Sequence, residues 1–222
     1  MATGTELVQL VRDQTLLGTD DVTDAKILAL LNRAITQVGV RFQWPFLQAT
    51  DDFDSVVGTR AYAFPTDCIF IHAIIEDGKR NRLKEIGRMD AWDRYGDSPP
   101  SKDATAFYVW EEKIEFLELP SSIITYHVSF RKQPTLMASL AGTPEWNDQF
   151  HDFLSDYAIS KLWEREEDRQ LSADAMGRFE SGIGDMAAFY MNQAEDNPMI
   201  FGERPDRATK SRYANMPWLD GV

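Results

Sequence analysis

The stretch QVGVRFQWPFLQ, residues 37–48, decides the fold, because a helical pattern meets a proline there. Proline cannot continue a helix, and it disfavours helical geometry at the residue before it. The helix leading into the stretch must therefore end before Trp44. Large aromatic side chains dominate core burial, so Phe42, Trp44 and Phe46 are expected to plug the end of the core. Phe42, Trp44, Pro45 and Phe46 are thus predicted to form a core junction where helices give way to strands.

Two helices are predicted before this junction. The segment from Thr5 to Leu17 places apolar residues on one face of a short helix, and GTDDVTD then breaks it. A second, longer helix follows, with Asp21 or Thr23 as its cap. The core positions of the pair are Leu7, Leu10, Val11, Leu17, Ile27, Leu31, Ala34 and Val38, with Leu28 and Ile35 widening the second stripe.

The middle of the chain reads as an antiparallel sheet with one short helix. DDFDSVVGTRAYAFP predicts a hairpin that turns at Gly58 and Thr59, and the apolar run Ile69–Ile75 predicts a strand before an Asp77-Gly78 turn. A return strand is expected over Asn81–Ile86, and a helix over Arg88–Tyr95. AFYVW, KIEFLEL and SIITYHVSF predict three more strands; the last alternates apolar and polar residues.

Helices return near the C-terminal end. Thr143 is predicted to cap a helix with Pro144 at its first position, and a final helix carries Met176, Phe179, Ile183, Met186 and Tyr190 on one face. Gly182 and Gly184 within it suggest close packing against another helix. The predicted class is α+β: an α-helical bundle of N- and C-terminal helices, an inserted small antiparallel β domain and an extended C-terminal tail. The predicted boundaries are 1–48, 49–135, 136–194 and 195–222.

The last segment, residues 201–222, differs from the rest of the chain. Its prolines and polarity argue against a regular element, yet it holds four large apolar residues that a disordered tail would usually lack. They either fold back onto their own subunit or act as a docking arm that orders on a partner. The predicted docking residues, for the portal or a neighbouring subunit, are Phe201, Arg204, Arg207, Tyr213, Met216 and Trp218.

Composition excludes several classes of protein. A net charge of -13 and a pI of about 4.6 argue against wrapping nucleic acid, because phosphate binding depends on clustered Lys and Arg. No apolar run is long enough to span a membrane and no secretion signal is visible, so a cytosolic chain without membrane contact is expected. Cys68, the single cysteine, is expected to be a small buried hydrophobe.

No catalytic signature is recognisable, and the chain is predicted to be no enzyme and to have no cofactor or metal. The most tempting cluster is DQFHDFLSD, where a helix would place Asp148, His151, Asp152 and Asp156 on one face. Such a stripe is also the ordinary solvated face of an amphipathic helix, and that interpretation is preferred. His72 is expected to be structural, and His127 lacks a nucleophile and carboxylate in a defensible order. Glu111, Glu112 and Glu115 read as a solvated turn and strand edge.

The order of four segments resembles the bacteriophage head-tail connector, or adaptor, proteins that form the ring beneath the portal. The segments are LLNRAITQVGVRFQWPFL, VGTRAYAFPTDCIFIHAIIEDGKRNRLKEI, FYVWEEKIEFLELP and TPEWNDQFHDFLSDYAISKLWER, within residues 5–190. Phe64 stands where the family usually has Leu, and the turn EEK lacks the family's common glycines.

The resemblance implies a dodecameric ring at the neck of the virion, assembled in the host cytoplasm. Its implied partners are the portal protein, neighbouring copies of the chain, a downstream tail or neck protein, and genomic DNA that passes the lumen without specific binding. Two alternatives stay open: an acidic, non-catalytic binding module such as a DNA-mimic inhibitor of a host protein, and a carboxylate-based hydrolase using Glu111, Glu112, Asp152 and Asp156.

Overall fold

The computed structural model describes residues 2–79, 82–96 and 98–196, with side chains as far as residue 190. Within these residues lie five helices, two sheets and two short 3-10 turns, so the predicted α+β class is confirmed. The helices are α1 Gly4–Thr15, α2 Asp24–Arg41, α3 Arg88–Tyr95, α4 Phe153–Arg165 and α5 Arg169–Asp196. The strands are β1 Gln48–Asp54, β2 Ala61–Ala63, β3 Cys68–Glu76, β4 Lys84–Glu85, β5 Ala106–Trp110, β6 Lys113–Phe116 and β7 Thr125–Lys132.

The N-terminal helix pair forms as predicted and is fastened by local polar contacts. Thr3 and Glu6 make a reciprocal capping box at the start of α1, which satisfies two backbone N–H groups that the helix leaves free. At the other end, the Arg12 guanidinium donates to the carbonyls of Leu17 and Val22 and contacts the Asp24 carboxylate. One side chain therefore holds the turn between α1 and α2 in place.

Helices α1, α2, α4 and α5 share one hydrophobic core. The periodicity of α2 predicted its buried face, since Ile27, Leu31, Ala34, Ile35 and Val38 are all buried. In α5 the predicted face is also confirmed: Phe179, Ile183 and Met186 are buried, while Met176 and Tyr190 are half-buried against the same core. Packing of these stripes, rather than local propensity, supplies most of the stability of such helices.

The strands form two sheets rather than the single antiparallel sheet predicted. The first has the order β1-β7-β3 and is antiparallel throughout; the second has the order β2-β6-β5-β4, and its β4–β5 pair is parallel. The two sheets share a second core that includes Ile74 and Val128 from one sheet and Phe107 and Phe116 from the other. Helix α3 packs on the second sheet through Ala91, beside Ala106 and Tyr108.

The predicted hairpin over residues 51–65 is wrong. β1 pairs with β7, whereas β2 pairs with β6 in the other sheet. The intervening loop is held elsewhere, because the Ser55 N–H donates to the Ile124 carbonyl and the Gly58 N–H donates to the Pro120 carbonyl. These hydrogen bonds hold the loop that connects β1 in the first sheet to β2 in the second. The expected return strand after the Asp77-Gly78 turn is reduced to a single bridge between Ile75 and Arg82, followed by the two-residue strand β4.

The predicted helix start at Thr143 is also wrong, because α4 begins ten residues later, at Phe153. The Glu145 carboxylate accepts hydrogen bonds from the Lys132 ammonium and the Thr135 N–H, outside any helix. The Trp146 indole donates to the Phe150 carbonyl within an irregular turn. These contacts override the local helix signal.

The predicted close packing at the glycines of α5 holds at one of them. A Cβ added to Gly182 would lie 2.5 Å from the Phe153 Cβ of α4. A Cβ added to Gly184 would meet nothing within 4 Å. Only Gly182 is therefore explained by the approach of the two helices.

Candidate assembly site

The predicted core junction lies where α2 ends and the chain turns toward β1. α2 ends at Arg41, Trp44 is extended (φ -66°, ψ 133°), and Pro45 begins a 3-10 turn that ends at Leu47. This is the geometry that a residue preceding proline favours. Trp44 is buried, Phe42 and Phe46 are half-buried, and Pro45 is exposed.

Trp44 closes the end of α2 by both packing and hydrogen bonding. Its indole Nε1 donates to the Val38 carbonyl at 2.6 Å. That carbonyl belongs to the last turn of α2, where the helix offers no partner of its own. Arg131 of β7 donates to the neighbouring Gly39 carbonyl in the same way. A positive charge at this end of a helix is also favourable, because the helix dipole is negative there.

The rings of this junction continue into the end of α5. We use the name aromatic junction for the connected rings of Phe42, Trp44, Phe46, Trp146, Phe150, Phe189 and Tyr190. Phe46 lies 5.6 Å from Trp146 and 5.3 Å from Tyr190, centroid to centroid. The Tyr190 hydroxyl also accepts a hydrogen bond from the Asn147 N–H at 3.1 Å. The last part of α5 is thus fastened to the point where the chain leaves the helices.

Sequence reasoning identified one side of this cluster and missed the other. Phe42, Trp44 and Phe46 share a short segment, whereas Trp146 and Tyr190 approach them from positions far along the chain. Nothing in the sequence around Trp146, apart from its being a large aromatic residue, indicated that it packs on Phe46. That the junction is a functional site stays a prediction. The predicted docking residues Phe201, Arg204, Arg207, Tyr213, Met216 and Trp218 lie outside the described residues.

The segment DQFHDFLSD does not form the acidic, solvated helix face that was predicted. His151 is buried; its Nε2 lies 3.0 Å from the Trp146 carbonyl and its Nδ1 lies 3.3 Å from the Ala2 carbonyl. Asp156 is largely covered and contacts the Arg178 guanidinium at 2.7 Å. Burial raises the pKa of the Asp156 carboxyl. Among the residues that the structure describes, no group of three or more His, Cys, Asp or Glu side chains is arranged to hold a metal ion.

The other two histidines occupy different settings. His72 on β3 is half-buried beside Phe70, and burial lowers its pKa. His127 is exposed on β7, with Nδ1 2.6 Å from an Asp52 oxygen and Nε2 3.4 Å from an Asp77 oxygen. Hydrogen bonding to Asp52, and then to Asp77, raises the pKa of His127. This contact links β1, β7 and the turn after β3.

The remaining candidate side chains have structural partners or face solvent. Glu111 and Glu112 form the exposed two-residue turn between β5 and β6, as predicted. Glu115 accepts a hydrogen bond from the Tyr108 hydroxyl. Burial raises the pKa of Tyr108 to about 12. Cys68 is half-buried against the core of the sheets, and burial raises its pKa to about 11. It is therefore less buried than predicted.

The described residues form an α+β protein. Its aromatic junction packs the end of α2, the start of β1 and the last part of α5 against one another. The sequence matches the family model of the SU10 adaptor protein over residues 2–202, so the chain belongs to this family of phage head-tail adaptor proteins. No curated protein matches the sequence. The resemblance noted in the sequence is thereby confirmed at the level of the family.

Family membership gives the chain a structural head-tail adaptor role at the neck of the virion, in association with other head and tail proteins of the phage. A structural adaptor family of this kind is typically non-catalytic. In the part of the chain that the structure describes, no helix is long and apolar enough to cross a membrane.

Proposed function

We propose that the chain forms a dodecameric ring that joins the portal protein to the downstream tail or neck protein and lets the genomic DNA pass. The observation that carries this proposal is the family match over residues 2–202. It favours the adaptor role over the DNA-mimic and hydrolase alternatives. Assembly in the host cytoplasm, without catalysis, belongs to the same proposal.

The acidic composition supports passage of DNA without adhesion. The net charge of -13 disfavours retention of the phosphate backbone, whereas Lys or Arg side chains in the lumen would add an attractive contact at each step. Asp51, Asp52 and Asp54 are exposed along β1, which is one edge of its sheet. Charged side chains on such an edge also oppose unwanted strand pairing.

The C-terminal segment is the proposed portal-docking arm. Its candidate anchors are Phe201, Tyr213, Met216 and Trp218, together with the basic residues Arg204 and Arg207. It follows α5, whose last described side chains are fastened in the aromatic junction. The helical core would thereby fix the point from which the arm starts. The proposal divides the chain into N-terminal helices (1–48), a β domain (49–135), C-terminal helices (136–194) and the docking tail (195–222).

Deletion of residues 201–222 tests the docking arm. We expect the truncated chain to keep its thermal midpoint and to bind the purified portal protein at least about tenfold more weakly, because anchor side chains dominate binding energy. The full-length chain is the control. Portal binding that is unchanged by the deletion would show that the arm does not dock there.

Electron microscopy of the complex with the portal tests the ring. We expect rings of twelve copies on the portal and a monomeric or weakly associating chain when it is free, since the sequence offers no long exposed apolar seam to drive assembly. A stable large oligomer of the free chain at micromolar concentration, measured by light scattering, would contradict the second expectation.

A further inference from the structure

The solvent side of α2 is basic, although the chain as a whole is acidic. Five exposed residues recur there at helical spacing, and we call them the outer face of α2: Lys26, Ala29, Arg33, Gln37 and Val40. Among the described residues, neither the Lys26 nor the Arg33 side chain has a hydrogen-bond or ion-pair partner. Both charges of this face are therefore positive and unpaired.

The solvent side of α5 is acidic and carries small residues. Five exposed residues recur there at helical spacing, and we call them the outer face of α5: Asp174, Gly177, Ser181, Gly184 and Asp185. Asp174 accepts a hydrogen bond from the neutral Gln170 amide, and no cation in the described part of the chain pairs with Asp185. Arg178 is held beside this face by Asp156. The outer face of α5 therefore carries the opposite charge to the outer face of α2.

The two outer faces lie on different sides of the helical core. Helix α4 packs against both α2 and α5, whose buried stripes point into the shared core. Each outer face lies opposite the buried stripe of its own helix and so points away from that core. One copy of the chain can therefore contact a preceding copy through α2 and a following copy through α5. Contacts between two different faces are heterologous, and they build rings when the rotation between copies closes.

The outer face of α5 has room for another helix. A Cβ added to Gly177 or to Gly184 would meet nothing within 4 Å, so packing inside the chain explains neither glycine. Glycine weakens a helix interior, but it lets another backbone approach closely. Ala29 presents a similarly small side chain on the outer face of α2.

We propose that the outer face of α2 in one copy packs against the outer face of α5 in the next, and that this contact joins neighbours in the ring. Lys26 and Arg33 would pair with Asp174 and Asp185. At 1.5 Å per residue, the two charges are about 10 Å apart along α2 and about 16 Å apart along α5, a difference that the long side chains of Lys and Arg can cover. The inference rests on the proposed ring, and it names the surfaces through which identical copies meet.

Charge selects a second copy as the occupant of both faces. In a ring of identical chains, the contact of α2 with α5 brings unpaired cations to carboxylates. A contact of α2 with α2, or of α5 with α5, would bring like charges together, which is costly at an interface. The same chain therefore supplies both halves of the complementary pair.

The net charge explains why the contact would need the portal. A net charge of -13 opposes the approach of free copies, and exposed ion pairs contribute little to association. Free chains should therefore stay monomeric or weakly associated. Copies held on one portal have a high effective concentration, and under that condition a weak contact forms.

Exchange of the charges tests the contact. One variant carries Lys26→Glu with Arg33→Glu, and a second carries Asp174→Lys with Asp185→Lys. All four positions are exposed, so both variants should keep the thermal midpoint of the natural chain. A third variant combines the four substitutions and restores the natural net charge.

A matched control separates the contact from net charge. Lys84→Glu with Lys113→Glu changes the net charge as the first variant does, but at exposed positions on the second sheet. The second variant provides a further separation, because it lowers the negative charge of the chain. Any loss of assembly in that variant cannot come from greater repulsion between whole chains.

Ring formation on the purified portal protein is measured by cosedimentation and electron microscopy. Each face variant alone should bind at least about tenfold more weakly than the control and leave incomplete rings, because like charges then meet at each contact. The combined variant should form complete rings. An equimolar mixture of the two face variants should also form them, because every contact then joins one copy of each kind and a ring of twelve can alternate.

Either of two results overturns the proposal. One is a face variant that binds as the control does, and the other is a failure of the mixture and the combined variant to recover complete rings. A natural chain that forms no ring on the portal would instead refute the proposed ring itself.

Discussion

Two glycines in one helix provide the sharpest test of how the helical core is packed. A Cβ at Gly182 would lie 2.5 Å from the Phe153 Cβ and 2.6 Å from its Cγ, which is far inside van der Waals contact. Phe153 is buried and packs on Phe179, so its ring cannot rotate away. Helices α4 and α5 would have to separate. Gly184 lies two residues along the same helix and faces open space.

The two alanine substitutions are expected to change the stability of the protein in opposite directions. Replacing an interior helical Gly by Ala gains about 1 kcal/mol, because Ala loses less backbone entropy. At Gly182 this gain is outweighed by overpacking of about 1–3 kcal/mol, and the contact with the base of the Phe153 side chain places the cost at the upper end. We expect Gly182→Ala to destabilise the protein by about 2 kcal/mol and Gly184→Ala to stabilise it by about 1 kcal/mol.

Urea denaturation of the free chain measures both variants. The two midpoints should move in opposite directions with an unchanged m-value, because neither substitution alters the surface exposed on unfolding. The difference between the variants, about 3 kcal/mol, is well above the error of extrapolation. Equal stabilisation by both alanines would show that α4 and α5 do not approach each other at Gly182, and the described core would be wrong there.

Substitutions at three further residues probe the junction, the sheet and the start of α4. Trp44→Ala should cost about 3–5 kcal/mol, and Trp44→Phe about 1–2 kcal/mol because the Val38 carbonyl loses its donor; a near-neutral alanine variant would refute the junction. Because the folded-state pKa of His127 is raised, its contacts with Asp52 and Asp77 stabilise the fold fully below about pH 6.5, and this stabilisation is lost as pH rises through the folded-state pKa. The His127 side chain is exposed, so the contribution is well under about 1 kcal/mol. His127→Gln should therefore remove the part of the fall in thermal midpoint that occurs as pH rises above about 6.5. Asp152→Asn should change stability by less than about 0.5 kcal/mol, and loss of particle assembly rescued by excess divalent ion would revive the metal site.

Sequence periodicity was sufficient to predict the buried face of a helix wherever that helix buries one continuous apolar stripe. The faces of α2 and α5 and the span of α3 follow from local pattern alone, because a helix makes all its backbone hydrogen bonds within itself. Strand pairing depends on partners distant in sequence. Strands do lie on both sides of the predicted turn at Gly58, but nothing local indicates that Ser55 and Gly58 bond to the loop before β7. The same limit applies at Thr143, where contacts from Lys132 and Thr135 to Glu145 displace a locally plausible helix.

The candidate surfaces were predictable to different degrees. The Trp-Pro step placed Trp44 at the end of a helix because the constraint of proline is local. Its partners Trp146 and Tyr190 could not be inferred, because ring contacts leave no periodic signal.

The proposed docking segment and the β-sheets are carried by different cores. The C-terminal segment follows α5 in the helical core, whereas the two sheets share the second core. The connection between the two cores therefore decides whether the sheets keep a fixed position relative to the helical core. That connection includes Arg131 at the Gly39 carbonyl and Lys132 at the Glu145 carboxylate, both extending from β7 beside the chain that Trp44 and Pro45 redirect. Because the β7 contacts and the aromatic junction meet near the end of α2, loosening this joint should weaken the connection between the helical core and the sheets.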